Sequence, residues 1–194
     1  MQATKIQAIV FDFFGVICSE IAPFVLPKYM SQEQAVAYKA TIVHDADTGT
    51  ITQDEMFRRL SAIARVPPEK LHEEFWSYVR IDPEMVALIE DLRRRYRVAL
   101  LTNALTPFFR QIAAKYDLER LFEVILVSSE EGLAKPDPAF YRLMVVTLRL
   151  EPQACVFIDD NPENLEAAGS VGMQTLLFEG ADKLKRDLTR LTQA

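Results

Sequence analysis

Short, almost wholly apolar runs recur along the chain and alternate with segments whose apolar residues repeat at helical spacing. The runs are Ala8–Phe13, Val98–Thr102, Val124–Ser128, Cys155–Ile158 and Thr175–Phe178. Each is too short for a helix and too uniformly apolar for a half-solvated strand. They predict strands of a parallel sheet covered on both faces. Between them the helix starts are explicit. Asp82-Pro83, Thr106-Pro107, Asp137-Pro138 and Asn161-Pro162 each offer a side-chain acceptor at the N-cap and Pro at the first helical position. After Asp82, the residues Met85, Val86, Leu88, Ile89 and Leu92 mark one apolar face. The pattern predicts an α/β fold, a Rossmann-like doubly wound parallel sheet of about five strands.

Residues 18–80 break the alternation. They contain no convincing strand, only helical patterns over Ser31–Ile42, Thr52–Ala64 and Pro68–Val79. Thr52 and Glu55 have capping-box spacing, and Gly49-Thr50 supplies the turn before them. About sixty residues is too long for a plain crossover between neighbouring strands. The stretch reads as a helical insertion over the end of the first strand. The expected division is a core of residues 1–17 and 81–194 and a helical cap of residues 18–80. Asp182–Leu191 predicts one last helix.

Composition narrows the class. A chain of 194 residues, 49% hydrophobic with 12 Phe and 6 Tyr, fills one core of ordinary size, which excludes disorder as its main state. A net charge of −6 excludes a broad nucleic-acid surface. Two cysteines give no disulfide framework, so Cys18 and Cys155 read as small interior hydrophobes. No run nears the roughly 18 apolar residues of a membrane span. The first residues also lack a signal-peptide pattern. The expectation is a cytoplasmic protein with neither membrane nor nucleic acid as partner.

In open parallel sheets, ligands bind outside the carboxyl ends of the strands. The residues directly after each run therefore matter most. They are Asp12, followed by Phe13-Phe14-Gly15-Val16, then Thr102 and Asn103, and Asp159-Asp160; the loop after the third run adds Lys135 before Pro136. Asp12 lies in an apolar run, where an ionised carboxylate is costly unless compensated. A hard divalent cation held by Asp12, Asp159 and Asp160 would compensate all three, and octahedral Mg²⁺ suits such oxygens. Thr102, the backbone N–H groups near Asn103, and Lys135 could bind the remaining oxygens of a phosphate. Asp12 would then attack phosphorus and form an aspartyl-phosphate. Singly, each residue has a plainer reading as turn, cap or solvated lysine. Their joint placement at successive strand ends carries the chemistry.

In these residues the sequence resembles the haloacid dehalogenase-like (HAD) hydrolase superfamily, over nearly the whole chain. Asp12-Phe13-Phe14-Gly15-Val16 matches its first motif, Leu101-Thr102-Asn103 the second and Lys135-Pro136 the third. Asp159-Asp160, Asn164, Ala167-Ala168 and Gly172-Met173 match the fourth, in the form usual for phosphatase-like members. The helical stretch takes the place of the C1 cap of subfamily I. The resemblance implies Asp12 as nucleophile and metal ligand, with the Phe14 carbonyl, Asp159 and Asp160 completing an Mg²⁺ site. It implies Thr102, Asn103 and Lys135 as holders of the transferring group, and a small phosphorylated metabolite as substrate. It also implies a sheet with strand one between strands two and four.

Phe14 departs from the pattern. Most phosphatases of the family carry an aspartate there as general acid and base, a role worth roughly 10²–10⁴-fold in rate. Phenylalanine keeps only the carbonyl. The sequence thus points to a Mg²⁺-dependent phosphomonoester phosphatase that favours aryl esters, whose leaving groups need little protonation. Two alternatives stand beside it. One is a non-catalytic binding or regulatory module on the same fold, suggested by Phe14. The other is a metal-independent dehalogenase-type hydrolase, which carries an aromatic residue at this position but lacks a fourth motif like Asp159-Asp160-Asn161-Pro162. His44 and His72 have no second ligand at metal spacing. His44, beside Asp45 and Asp47, could face the site from the insertion but has the plainer reading of a surface or helix-end residue. Phe75, Trp76 and Tyr78 read as packing between insertion and core.

Overall fold

The computed structural model describes residues 5–193, with side chains as far as residue 191. Residues 1–4 and 194 of the expected core lie outside the described residues. Strand β1 (Ala8–Phe11) leads into a helical stretch: α1 (Ala22–Val25), α2 (Gln32–Tyr38), a π-helical turn (Lys39–Val43), α3 (His44–Asp47), α4 (Gln53–Ala64) and α5 (Pro68–Ser77). Alternation then resumes with α6 (Pro83–Leu92), β2 (Arg97–Thr102), α7 (Thr106–Lys115), β3 (Val124–Val127), α8 (Ser128–Glu131) and α9 (Pro138–Leu148). It ends with β4 (Cys155–Asp159), α10 (Pro162–Ser170), β5 (Gln174–Leu177) and α11 (Ala181–Gln193). All five strands are parallel, in the order β3-β2-β1-β4-β5. Strand β1 lies between β2 and β4, so the chain reverses direction across the sheet at β1.

Side chains alternate across a strand, and here both faces are apolar. Ile9, Phe11, Val98, Leu100, Val156 and Ile158 face α6, α7 and α11. Ala8, Val10, Ala99, Leu101, Cys155 and Phe157 face α9 and α10. Burying each larger side chain stabilises by about 1.5–3 kcal/mol. Both cysteines are buried and unpaired. Strand β5 departs from the expectation of full cover: at the sheet edge, its residues are half-buried or exposed.

Asp82, Asp137 and Asn161 cap their helices by accepting from backbone N–H groups, with Pro next. Thr106 does not. Helix α7 begins at Thr106 itself with Leu105 at the N-cap, and the Thr106 hydroxyl pairs with Ser129 Oγ at 2.7 Å. A tertiary partner on α8 displaces the local cap. Thr52 makes half of the expected box: Glu55 N–H donates to its hydroxyl, but the Glu55 carboxylate turns to Arg59 at 2.6 Å. The complete capping box is Ser31 with Gln34, at the start of α2.

Between residues 18 and 81 the described backbone forms no strand, only single bridges of Cys18 to Phe14 and Ile81. The buried side chains of this helical stretch (Tyr38, Met56, Leu60 and Phe75 among them) run without a break into the layer under α6 and α7. The edges of Phe75 and Trp76 meet the Phe108 ring at 6.4 and 5.4 Å, which joins α5 to α7. Helix α2 extends past the expected Ile42 through the π turn to Asp47, because Ala46 is fully buried and holds the last turn down. No described helix is long and apolar enough to cross a membrane.

Among the described residues, two buried side-chain oxygens lack a hydrogen-bond partner, Gln53 Oε1 and the Tyr141 hydroxyl, and the second lies in the core. Tyr141 packs edge-on to Phe157 at 5.3 Å, and its hydroxyl makes no hydrogen bond among the described residues. Such a group costs about 1–3 kcal/mol. Tyr141→Phe should therefore leave stability unchanged or raise it by about 1 kcal/mol, read from urea unfolding. A clear loss of stability would show that the hydroxyl is satisfied in solution.

Candidate active site

The register of the sheet assembles the site. Phe11 pairs with Ile158 across β1 and β4, and the Asp12 N–H donates to the Ile158 carbonyl at 2.9 Å. The next residue on each strand is an aspartate, so Asp12 and Asp159 emerge side by side where the strand order reverses. Asp160 follows. One carboxylate oxygen from each of the three comes within 4.8 Å of the others. Gly15 makes this approach possible. It adopts φ +89°, and a Cβ there would fall on the Asp160 carboxylate.

Lys135 lies between two of these carboxylates. Its Nζ is 2.6 Å from Asp12 Oδ1 and 2.7 Å from Asp159 Oδ2, over the face of Phe157. All three side chains are buried. Asn103, after β2, holds the lysine's backbone with both ends of its amide: Nδ2 donates to Lys135 O and Oδ1 accepts from Lys135 N–H, each at 2.8 Å. Asp159 is held just as firmly. It accepts from the Asn161 N–H at 2.8 Å and from Asn164 Nδ2 at 3.1 Å. Ser128, fully buried, accepts from the Ala104 N–H at 2.9 Å and fixes the loop that carries Asn103.

The charges shift one another. Burial pushes the Asp12 carboxyl from its usual 3.8 to about 7; the Lys135 ammonium opposes this and Asp159 adds to it. Burial also works against the Lys135 ammonium, but Asp12 and Asp159 outweigh it and hold its pKa above the usual lysine value. Asp160 is pushed up by burial and by Asp159.

Over this edge lies a cavity of about 580 Å³, with Asp12, Asn103, Lys135 and Asp160 on its floor. The helical stretch supplies much of its wall, including the apolar Val36, Ala40, Val43 and Phe75. Phe14 lines it too, edge-on to Phe13 at 4.9 Å. Of the residues singled out in the sequence, Thr102 at the end of β2 and Asp159 at the end of β4 are fully buried and do not line the cavity. His72 packs among Phe57, Trp76 and Phe108, whereas His44 lines the cavity. Glu20 and Lys39, which sequence reasoning passed over, also line it, as does Asp47, which the sequence offers only as a neighbour of His44. Local sequence gives Glu20 and Lys39 no signal, since only the folding back of the insertion brings them here.

The Asp12 shift has a measurable consequence for folding. The unfolded carboxyl loses its proton near 3.8 and the folded one near 7, so the folded state binds more protons between those values. Stability is then fully present below about pH 4 and falls as pH rises toward 7. In chelator, the wild type should be less stable at pH 7.5 than at pH 5 by about 2–4 kcal/mol, by urea unfolding. Asp12→Asn should reduce that difference without abolishing it, because the Asp47 and Asp160 carboxyls are also pushed up by burial. An unchanged difference would show that Asp12 ionises normally.

A family model for haloacid dehalogenase-like hydrolases matches residues 6–172. The chain is 26% identical over 174 residues to the sesquiterpene phosphatase astK of Aspergillus oryzae, covering 88% of each protein. It is also 26% identical to the drimenol cyclase drtB of Aspergillus calidoustus, over 96% of this chain but only 36% of that longer one. A HAD family enzyme from Bacteroides thetaiotaomicron shares the fold, with a TM-score of 0.82 at 20% identity over 95% of this chain and 98% of that one. The same enzyme in complex with magnesium and inorganic phosphate matches with a TM-score of 0.76 at 22% identity, over 89% of this chain and 93% of that one. The motifs at the strand ends, the sheet order and a family match over most of its length agree: the chain belongs to the haloacid dehalogenase-like hydrolases.

Proposed function

We propose that this hydrolase is a Mg²⁺-dependent phosphomonoester phosphatase with Asp12 as its nucleophile. The observation that carries the reading is the meeting of Asp12 with Lys135 at 2.6 Å and with the Asp159 and Asp160 carboxylates. Three hard oxygen donors this close match the chemistry of a magnesium site. Asp12, the Phe14 carbonyl, Asp159 and Asp160 would hold the ion. Bound there, Mg²⁺ would act as a Lewis acid, drawing charge from the phosphate oxygens. Residues 18–80 are proposed as the C1 cap, and residues 1–17 with 81–194 as the core it covers.

The chain's own groups divide the remaining work. A carboxylate oxygen of Asp12 bonds to phosphorus as the ester oxygen leaves, giving an aspartyl-phosphate; water then attacks that phosphorus and frees Asp12. Lys135 neutralises charge on the transferring group and keeps Asp12 aimed. Asn103 acts by holding Lys135 through its amide and by offering backbone N–H to a phosphate oxygen, since its side chain is already engaged. Thr102, buried behind this floor, orients the loop. The dehalogenase-type alternative fits less well, because a metal-free site gains nothing from three converging carboxylates.

The apolar cavity wall of Val36, Ala40, Val43 and Phe75 suits a small phosphorylated metabolite with an apolar organic part. The likeness to a sesquiterpene phosphatase over 88% of both chains supports that choice.

Hydrolysis of 4-nitrophenyl phosphate tests the reading. Wild type should release nitrophenolate with Mg²⁺ and stop in chelator. Asp12→Asn should lose activity by more than about 10³-fold while remaining folded. Activity surviving either treatment would sink the mechanism, and no hydrolysis by wild type would bring the non-catalytic module forward.

A further inference from the structure

The reaction needs a proton for the oxygen that leaves phosphorus, and Phe14 has none to give. The helical insertion brings another candidate to the same cavity. Helix α2, the π turn and α3 form one continuous helical segment, and Lys39, Val43, His44 and Asp47 lie on its cavity side. The π turn adds a residue and widens this stripe, a distortion common at functional sites. The end of the segment is fixed against the core. Gly49, at φ +71°, lies so close to the Ser129 carbonyl on α8 that no Cβ would fit. Asp47 is thereby held over the loop that carries Lys135.

The Asp47 carboxyl has no hydrogen bond or ion pair among the described residues. Its surroundings are Lys39 on its own segment, Lys135 from the floor and Glu20 from the loop after β1; His44 lines the cavity one turn earlier. Burial pushes Asp47 from 3.8 to about 7, with Lys39 and Lys135 opposing and Glu20 adding. An acid in that range can both give and take a proton at neutral pH. Glu20 lines the cavity as well, but its carboxyl faces the charge of Asp160.

We propose that Asp47 is the catalytic acid and base of this enzyme, touching the leaving oxygen from the insertion side of the cavity. The inference rests on the phosphatase reading of Asp12. In the first step the Asp12 oxygen bonds to phosphorus and the phosphorus–ester oxygen bond breaks. That electron pair stays on the departing oxygen, which takes the Asp47 proton and leaves as a neutral alcohol. In the second step the Asp47 carboxylate takes a proton from water as the water oxygen bonds to phosphorus. The bond from phosphorus to Asp12 breaks, phosphate is released, and both carboxyls return to their starting states. Such an acid opens the site to alkyl phosphate monoesters, whose alkoxide leaving groups depart poorly without a proton, and removes the preference for aryl esters that Phe14 alone predicts.

The test compares an alkyl phosphate with 4-nitrophenyl phosphate in Mg²⁺, using wild type, Asp47→Asn, Asp47→Ala and Glu20→Gln. Single-turnover release of alcohol or nitrophenolate isolates the first step. Both Asp47 variants should lose alkyl ester cleavage by about 10²–10⁴-fold and keep nitrophenolate release within about tenfold. The kept aryl reaction shows that they fold. In wild type, the alkyl rate should fall above about pH 7, and that limb should vanish in both variants. Equal losses on the two esters, no loss on either, or the selective loss appearing in Glu20→Gln instead would each overturn the role of Asp47. Wild-type failure on both esters would overturn the phosphatase reading, and this inference with it.

Discussion

Three carboxylates brought to one sheet edge need positive charge, and the architecture around them follows from that need. Each ion taken from water costs several kcal/mol even after the protein relaxes. Lys135 answers for Asp12 and Asp159 together, at 2.6 and 2.7 Å. An ammonium so placed has to be fixed by its backbone, and both ends of the Asn103 amide do that. The second carboxylate also needs its remaining lone pairs filled, which Asn161 and Asn164 do from the start of α10. The third carboxylate can approach only where the facing loop has no side chain, at Gly15. The motif residues are thus one electrostatic unit spread over four loops.

That unit is incomplete as a phosphate site. With its carboxyls ionised, one ammonium against three carboxylates leaves a net negative charge, which repels a phosphate dianion. On the proposed reading the magnesium ion restores the balance. Burial, with the Asp159 charge adding to it, lifts Asp12 and Asp160 despite the nearby lysine. A site that strains its own carboxyls in this way holds binding energy for a cation in reserve, and folding stability bears the cost.

Much of the fold was legible in the sequence because its signals are local. A fully buried strand is apolar at every position, as Ala8–Phe11 is, and an Asp-Pro or Asn-Pro step terminates one element and starts the next. The strand-end carboxylates were legible for the same reason: each interrupts or directly follows an apolar run. Lys135 lies in the loop between α8 and α9 and was legible only as the Lys135-Pro136 motif. What could not be read depends on contacts distant in sequence. Thr106 looks like a cap but finds Ser129 on α8. Asn103 looks like a ligand, yet its amide is spent on Lys135, 32 residues away. The last turn of the Asp47 helix carries the polar sequence His44-Asp45-Ala46-Asp47, which reads as a solvated end until Ala46 is seen to be fully buried.

Phe14 then looks less like a lesion than a change in where the chemistry is kept. Its ring meets Phe13 edge-on at 4.9 Å, and Phe13 meets Phe109 of α7 at 5.1 Å, so the first-motif loop is tied into the apolar layer beneath it. An aspartate there would bring a fourth carboxylate to an edge already short of positive charge. An aromatic ring removes that charge and extends the apolar wall begun by Val36, Val43 and Phe75. On the proposed reading the nucleophile and cation ligands stay at the ends of β1 and β4, with Lys135 in the loop before α9. The proton, on that same reading, comes from the insertion, whose chain folds back over the cavity. A division of that kind lets the leaving-group side of the cavity change with the substrate while the phosphate side stays fixed.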